Sequence, residues 1–424
     1  MQSDRENDIQ QIRELKARTR PFPLTPTPIH VPDDVLADLK TRLAATRWAD
    51  DLGNEDWHYG VPRTYLQELI GKWLDDYDWR TAEKHLNEYE NYFVEVDGVK
   101  IHLLRKPGTG PDPKPLILTG GWPWVVTHLL PVADRLADPA AFGADPAESY
   151  DVIVATLPGS GFSTPVSRPD LNFWKIADLW HKLMTETLGY EKYFAAGSDM
   201  GALVTEQLGH KYPDELYAIH LGSSIPLDMF GGERPWDLTG GAAIPPGVPA
   251  PIREQIESFQ KRFVAHVAVH VLDSSTIGHG LTDSPAGMLA WVLERWTNWS
   301  DNDGNVENVW SKDEILTNAT IFWVTNSIST SMRLYANAAR YPWQPSHNRI
   351  PVIEAPTGIT FVGYENPPGV TTEHRVEDFR NGPKAKWFNA VNLTAHERGG
   401  HFGTWEVPDE WADDARRTFH GRAR

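Results

Sequence analysis

The sequence predicts an α/β fold in which a mostly parallel, eight-stranded sheet carries helices on both faces. Short apolar runs alternate with helical patterns between residues 92 and 221, as is typical of parallel strands joined by helices. The same alternation resumes after Pro356, with apolar runs at 359–362 and 390–393. Residues 226–251 are rich in Gly and Pro and predict a loop. The rest of 226–350 shows helical patterns and no clear strand pattern, which predicts a helical lid inserted after the sixth strand.

The residues ahead of the sheet predict an N-terminal extension. Residues 1–20 alternate in charge, and we interpret them as either a helical arm or a disordered segment. A first helix is expected to begin at Pro32-Asp33-Asp34, a second to cover 62–74, and a third to end near Asn87. The predicted regions are therefore an extension at 1–90, a core at 91–225, a lid at 226–350 and the second part of the core at 351–424.

The core strands follow in order. A hairpin is expected from the runs at 92–96 and 101–104, because Asp97-Gly98 between them is a tight-turn signal. Buried strands are expected at 115–118 and 150–155. In such open parallel sheets the active site lies at the carboxyl ends of the strands.

The chain is organised around the five residues Gly197-Ser198-Asp199-Met200-Gly201. They stand between an apolar strand at 193–196 and a helix at 202–212, and this strand–turn–helix setting is that of a nucleophile elbow. A Cβ at either flanking glycine would collide with the neighbouring helix or strand. The alternative is an ordinary helix start at which Asp199 only caps the helix.

The central residue of this turn is an aspartate, and Ser198 is one position out of register. A carboxylate at an elbow attacks carbon and forms an alkyl ester, which water must then cleave. That chemistry suits epoxides and carbon–halogen bonds. The residues alone leave both substrate classes open.

Composition narrows the class of protein. A formal net charge of −18 argues against nucleic acid or an anionic membrane as partner. No apolar run reaches membrane-spanning length and the first residues do not form a signal peptide, so we expect a cytoplasmic protein. The sequence has no cysteine, no defensible metal-ligand cluster and no phosphate-binding glycine motif, so no cofactor is expected.

Short motifs along the chain carry a resemblance to a known family. In the extension they are Arg20-Pro21-Phe22, Val31-Pro32-Asp33, Arg42-Leu43-Ala44, Thr46-Arg47-Trp48, Trp57-His58-Tyr59-Gly60 and Asp78-Trp79-Arg80. Further along they are Leu157-Pro158-Gly159-Ser160-Gly161-Phe162-Ser163, Asp283-Ser284-Pro285-Ala286-Gly287, Ser331-Met332-Arg333-Leu334-Tyr335, Pro356-Thr357-Gly358 and Arg398-Gly399-Gly400-His401-Phe402. Their order over about residues 20–420 resembles the microsomal-type epoxide hydrolases. The resemblance implies an α/β-hydrolase fold with an inserted helical lid and an N-terminal extension.

The resemblance also implies a catalytic triad. Asp199 is the expected nucleophile and His401 the expected general base, since imidazole titrates near neutral pH. Glu365 is the expected acid that orients the histidine. The gap from Glu365 to His401 is longer than is usual in the family, so Glu373 stays open as its rival, and His396 is a rival to His401 by proximity only.

The remaining site residues follow from the same resemblance. The backbone N–H groups of Trp122 and Met200 are expected to form the oxyanion hole, with a cis peptide at Trp122-Pro123. Two lid side chains should donate to the epoxide oxygen. Tyr335 takes the position of the second family tyrosine, and His266 falls where the first is expected; an imidazole can donate in its place.

The sequence therefore predicts an epoxide hydrolase that converts an apolar epoxide and water into a vicinal diol. Three alternatives stay open: a haloalkane-type dehalogenase, an epoxide-opening cyclase of a biosynthetic pathway, and a non-catalytic binding protein on this scaffold. A homodimer stays open as well. We interpret Asp283-Ser284-Pro285 as a helix start rather than as part of the chemistry.

Overall fold

The computed structural model describes residues 22–223, 225–231 and 247–423. The predicted arm at 1–20, the first two residues of the Arg20-Pro21-Phe22 motif and the middle of the predicted glycine- and proline-rich loop lie outside the described residues.

Eight strands form one sheet, in the order β1-β2-β4-β3-β5-β6-β7-β8. The strands are β1 Glu90–Val96, β2 Val99–Lys106, β3 Lys114–Thr119, β4 Tyr150–Ala155, β5 Tyr193–Gly197, β6 Leu216–Leu221, β7 Ile353–Val362 and β8 Phe388–His396. β1 pairs antiparallel with β2, and β2 antiparallel with β4. All the other neighbours are parallel, as the sequence predicts.

Within the described residues, α-helices occur in the extension, in the core and in the lid. They are α1 Asp33–Ala44, α2 Arg63–Asp75, α3 Trp79–Leu86, α4 Leu130–Ala137, α5 Phe173–Lys182, α6 Met200–Lys211, α7 Ala250–Phe263, α8 Ala265–Leu272, α9 Ser274–Asp283, α10 Pro285–Trp299, α11 Lys312–Val324, α12 Ile328–Arg340, α13 Thr372–Asn381, α14 Gly403–Glu406 and α15 Pro408–Phe419. Helices α7 to α12 lie between β6 and β7, so the helical insertion follows the sixth strand as predicted.

The central strands are apolar because helices cover both of their faces. Every residue of β4 and of β5 is buried, which is the pattern of parallel strands inside an α/β sheet.

The hairpin turn between β1 and β2 has Asp97 and Gly98 at positive φ, as the Asp-Gly pair predicts.

The extension packs against the lid. The indole N–H of Trp73 in α2 donates to the Thr320 hydroxyl in α11 over 3.0 Å, and both side chains are buried. Arg42 in α1 donates to the carboxylate of Asp283 over 2.8 Å. Next to it, Ser284 caps α10 by accepting from the Gly287 N–H, which confirms the predicted helix start. The lid is thus supported from its outer side.

The last two strands are longer than the sequence predicts. β7 begins at Ile353 rather than near Ile359, and β8 extends on both sides of 390–393. Pro356, which has no N–H to donate, lies inside β7, where the pairing with β8 shifts register. Because the pairing at Pro356 is irregular, the apolar run in the sequence covers only the last part of β7.

Candidate active site

Asp199 lies at the tip of the turn between β5 and α6, with φ 55° and ψ −133°. A side chain rarely adopts a positive φ, so the surrounding turn must hold it there. A Cβ on Gly197 would lie 2.3 Å from the Gly201 carbonyl oxygen. One on Gly201 would lie 2.3 Å from the Thr119 carbonyl oxygen. The steric reason predicted for the two glycines therefore holds.

Asp199 occupies the cap position of α6, yet its side chain makes no capping hydrogen bond. Oδ1 accepts from the Trp122 N–H over 2.7 Å, and Oδ2 lies 3.0 Å from Nε2 of His401. The carboxylate is buried, with 6% of the residue exposed. It therefore points away from its own helix and towards the edge of the sheet, contrary to the capping alternative.

The loop after β3 comes close to Asp199 because of a glycine. A Cβ on Gly121 would lie 1.8 Å from Asp199 Oδ1, so no other residue fits without moving the carboxylate. The predicted cis peptide at Trp122-Pro123 is present. Met200 is the first residue of α6, where N–H groups lack acceptors within the helix. Trp122 and Met200 thus place two backbone N–H donors beside Asp199. The need for glycine at position 121 was not predicted from the sequence.

His401 lies in the loop between β8 and α14, opposite Asp199. Its Nδ1 lies 2.7 Å from Oε1 of Glu365, which ends a short 3₁₀ turn directly after β7. Glu373 is exposed on α13, and His396 pairs instead with Asp414 over 2.7 Å. The structure thus brings Glu365, His401 and Asp199 into one hydrogen-bonded chain and leaves both rivals outside it.

The charges of Asp199 and Glu365 strongly favour the protonated form of His401. Burial alone lowers the pKa of His401, but the hydrogen bonds and charges of Asp199 and Glu365 outweigh it and raise the pKa to about 10. For Glu365, burial raises the pKa, while the His401 hydrogen bond and the charges of His401 and Arg375 leave it lower than usual. The resting site therefore holds a protonated histidine between two carboxylates.

Tyr335 projects from α12 and is 1% exposed. Its hydroxyl has no hydrogen-bond partner among the residues that the structure describes. Burial, and then the negative charge of Asp199, raises the pKa of Tyr335 well above its usual value. The rings of Phe173 and Phe230 pack edge-on against it. The site thus contains a neutral, buried hydroxyl that an incoming oxygen atom could accept from.

His266 projects from α8 and stacks on the Trp122 ring, with 5.5 Å between centroids and 12° between planes. Burial lowers its pKa well below the usual value, and the nearby His270, Arg295 and His401 add to this. Its ring centroid lies 5.8 Å from that of Tyr335. The imidazole is therefore neutral and close to the tyrosine.

Two neighbours of the site were missed in the sequence. His270, one turn after His266, lies edge-on to Trp122 at 4.2 Å and to Tyr335 at 4.9 Å. The four-residue spacing on one helix was the available signal. Trp299 of α10 accepts the His401 N–H at its carbonyl over 2.8 Å, and its ring lies 5.0 Å from the imidazole. Nothing in the lid's tryptophan pattern distinguished it.

No group of three or more His, Asp or Glu side chains among the described residues is arranged to hold a metal ion. None of the described helices has the length and apolarity to cross a membrane.

Comparison with known proteins gives consistent matches. Residues 24–129 match the family described as "Epoxide hydrolase N terminus", and residues 114–311 match "alpha/beta hydrolase fold". A protein of Stigmatella aurantiaca (strain DW4/3-1), named "Putative epoxide hydrolase", is 35% identical over 93% of this chain and 84% of its own length. Epoxide hydrolase 1 of Oryctolagus cuniculus is 28% identical over 92% and 87%. The crystal structure of juvenile hormone epoxide hydrolase from the silkworm Bombyx mori superposes with a TM-score of 0.73, 25% identity and 97% coverage of both chains.

Proposed function

This chain belongs to the epoxide hydrolase family with the α/β-hydrolase fold, and we propose that it opens an apolar epoxide to a vicinal diol through an ester on Asp199. The proposed mechanism rests on the position of the Asp199 carboxylate, which lies between the Trp122 N–H and the His401 imidazole. A buried nucleophile with a base at 3.0 Å, itself oriented by a third group, is the arrangement that covalent catalysis requires.

The first step forms the ester. A carboxylate oxygen of Asp199 attacks an oxirane carbon, the carbon–oxygen bond of the ring breaks, and the oxygen takes its electron pair. Tyr335, with the neutral imidazole of His266 beside it, donates a hydrogen bond to this oxygen and then the proton that converts it to a hydroxyl. Both donors are buried, which strengthens their interaction with the charge that develops in the transition state.

Ester formation changes the protonation of His401. The negative charge of Asp199 helps to keep the pKa of His401 near 10 in the resting enzyme, and the ester carries no such charge. The pKa of His401 therefore falls, and the imidazolium releases the proton that restores the Tyr335 phenol. The site thus converts its histidine into a base only when there is an ester to hydrolyse.

The second step frees the product. Neutral His401 takes a proton from water, and the hydroxide attacks the ester carbon of Asp199. The resulting oxyanion accepts hydrogen bonds from the N–H groups of Trp122 and Met200. The intermediate then collapses, the alcohol oxygen leaves with a proton from His401, and the acid formed on Asp199 returns its own proton to the imidazole. One epoxide and one water have become one diol.

Aromatic rings favour an apolar substrate. Four aromatic rings lie against the two lid donors, Tyr335 and His266, with centroid distances between 4.7 and 6.4 Å; they are those of Trp122, Phe173, Phe230 and Trp299. Such a wall removes apolar surface from water, while the few polar groups fix the orientation. The proposed substrate is therefore an epoxide with an apolar, bulky substituent.

The experiment that tests the mechanism replaces His401 with Gln. With an aryl epoxide such as styrene oxide, the ester on Asp199 should form but not hydrolyse. Intact-mass measurement should then show a protein heavier by one substrate molecule, with the adduct located at Asp199 by peptide mapping. His374→Gln, at an exposed position on α13, is the matched control and should turn over without an adduct.

Three outcomes would contradict the proposal. Diol formation by His401→Gln at the wild-type rate would remove the histidine from it. One wild-type turnover in water enriched in ¹⁸O should place the label in the Asp199 carboxylate, so label found only in the diol would exclude the ester. Release of halide from a haloalkane, without diol formation, would favour the dehalogenase alternative.

A further inference from the structure

A second, half-buried carboxylate holds the loop that carries His401. Oε1 of Glu406 accepts from the Phe402 N–H over 2.9 Å, and Oε2 accepts from the Gly400 N–H over 3.0 Å. Oε2 also accepts from the N–H of Asp301, at the end of α10, over 2.7 Å. We propose that Glu406 is a positioning residue that fixes the backbone on both sides of His401 for the ester hydrolysis step; this rests on the proposed function of His401.

Only a carboxylate can make this set of hydrogen bonds. Three backbone N–H groups converge on two oxygen atoms, and an ionised carboxylate has enough lone pairs to accept from all three. An amide of the same shape offers a single acceptor oxygen, and its NH₂ group would face at least one N–H donor. Charge-assisted bonds of this kind are also stronger than neutral ones. Burial raises the pKa of Glu406 to about 7, although its hydrogen bonds to the three N–H groups lower it, so the carboxylate is charged and matched to the loop above neutral pH.

The glycine before the histidine gives independent support. A Cβ on Gly400 would lie 2.6 Å from the Trp299 carbonyl oxygen and 2.8 Å from Oε1 of Glu406. The space that a side chain would need is thus filled by the lid backbone and by Glu406. This close approach explains why residue 400 must be glycine, beyond the flexibility that the Gly-Gly pair suggests.

The same region joins the base to the lid. The His401 N–H donates to the Trp299 carbonyl over 2.8 Å, and the Gly399 N–H donates to Oδ2 of Asp301 over 3.0 Å. Together with the Asp301 N–H bond to Glu406, these contacts tie loop 399–402 to the lid segment 299–301. Glu365 holds Nδ1 of the His401 ring, whereas Glu406 holds the backbone from which that ring projects.

The test separates ring opening from ester hydrolysis. In Glu406→Gln, the Asp199 carboxylate keeps its elbow, so ester formation in a single turnover should change little. His401 should lose its alignment with the attacking water, so ester hydrolysis should slow by about 10- to 100-fold, the cost of a small misplacement of a catalytic group. The ester should then accumulate during steady-state turnover of an aryl epoxide, measured by rapid quench and intact mass.

Glu206→Gln is the matched control. Glu206 in α6 is a fully buried glutamate, and its Oε1 accepts from the Ile225 N–H over 3.2 Å, away from the histidine loop. Burial raises its pKa well above the usual value, so the neutral amide resembles the residue it replaces. Both rate constants should stay within about twofold of wild type, because no catalytic group contacts this bond.

His401→Gln measured in parallel distinguishes this inference from the function on which it rests. If His401→Gln forms no ester, the proposed function fails, whatever Glu406 does. Suppose instead that His401→Gln traps the ester. The positioning role alone is then overturned if Glu406→Gln lowers the rate constants of ester formation and ester hydrolysis equally, or if it lowers neither of them. Should Glu406→Gln not fold, as judged by its melting curve, Gly400→Ala is measured for the same split, since its Cβ displaces the loop without removing the carboxylate.

Discussion

The core and the lid supply the proposed catalytic groups in different ways. Asp199, His401 and Glu365 come from the sheet edge and form a chain of hydrogen bonds at 2.7 and 3.0 Å. Tyr335 and His266 come from the lid and are held by ring contacts, and the tyrosine hydroxyl has no partner in the described part of the chain. The core groups are hydrogen-bonded to one another before the substrate arrives. In the proposed mechanism the Tyr335 hydroxyl gains its acceptor only when the epoxide binds.

The histidines show the same contrast in their charge. Asp199 and Glu365 outweigh the effect of burial and raise the pKa of His401 to about 10. Burial lowers the pKa of His266 and of His270 well below the usual value, since no carboxylate of the described residues is placed against either ring. Within the site, histidine is thus a cation beside Asp199 and neutral in the lid. Each form suits its proposed task of proton storage or of hydrogen-bond donation.

The largest expected effect comes from breaking the chain in the core. In Glu365→Gln, the amide can no longer stabilise the imidazolium or hold its tautomer, so ester hydrolysis should slow by about 10³- to 10⁴-fold, as in comparable triads. Ester formation should fall much less, because Asp199 keeps its bond to Trp122. Rapid-quench kinetics with an aryl epoxide would measure the two steps separately.

Glu373→Gln is the control for this change. Its carboxylate is exposed on α13, eight residues further along the chain, so both rate constants should match those of wild type. Slow ester hydrolysis in Glu373→Gln, with Glu365→Gln unaffected, would assign the orienting acid to Glu373. It would also show that the 2.7 Å contact is not used in catalysis.

The core groups could be predicted from one local pattern and from the family resemblance. The strand–turn–helix pattern with two glycines identifies Asp199, whereas Glu365 and His401 follow from the resemblance, and both lie after strands at the same sheet edge. The predominantly parallel pairing follows from the same alternation of elements. Several strands are longer than their apolar runs, β7 by the most, because irregular pairing around Pro356 interrupts its apolar pattern.

The other neighbours of the site could not be predicted, because their contacts join distant parts of the chain. Glu406 meets Asp301 across 105 positions, and Gly121 meets Asp199 across 78. A glycine or a glutamate in a loop carries no local sign of such an approach. His270 differs: its position one turn from His266 was readable, and its burial against Tyr335 depended on how α8 packs.

Tyr335→Phe tests the lid half of the comparison. Removing one donor from a developing oxyanion costs about 10²- to 10³-fold in rate, so ring opening should slow by this amount while ester hydrolysis stays constant. Stability should not fall, and the melting temperature should stay equal or rise, because the lost hydroxyl is buried without a partner among the described residues. Rapid quench and thermal melting measure the two effects.

Leu334→Met, at the buried position before the tyrosine, is the control for repacking of α12 and should leave both steps unchanged. Equal slowing of both steps in Tyr335→Phe would show that the tyrosine supports the site as a whole and does not act on the epoxide oxygen. A large fall in melting temperature would show that its hydroxyl has a partner in the free enzyme.

The smallest expected effect is on stability, where the two kinds of histidine should respond at opposite ends of the pH range. The pKa of His401 is raised from 6.5 to about 10 in the folded protein. Its contribution to stability is therefore complete below pH 6.5 and is lost as the pH rises to 10. The melting temperature of wild type should exceed that of His401→Gln by a few degrees at pH 6.5, and this difference should shrink towards pH 10.

His266→Gln should show the reverse dependence. The lowered pKa of His266 keeps it neutral when folded, whereas the unfolded chain takes up its proton as the pH falls below 6.5. Wild type should therefore lose stability relative to His266→Gln as the pH falls, with little change in their difference between pH 7 and 10. If both variants followed the same pH dependence, the two histidines would share one kind of environment, and the contrast between a charged His401 and a neutral His266 would not hold.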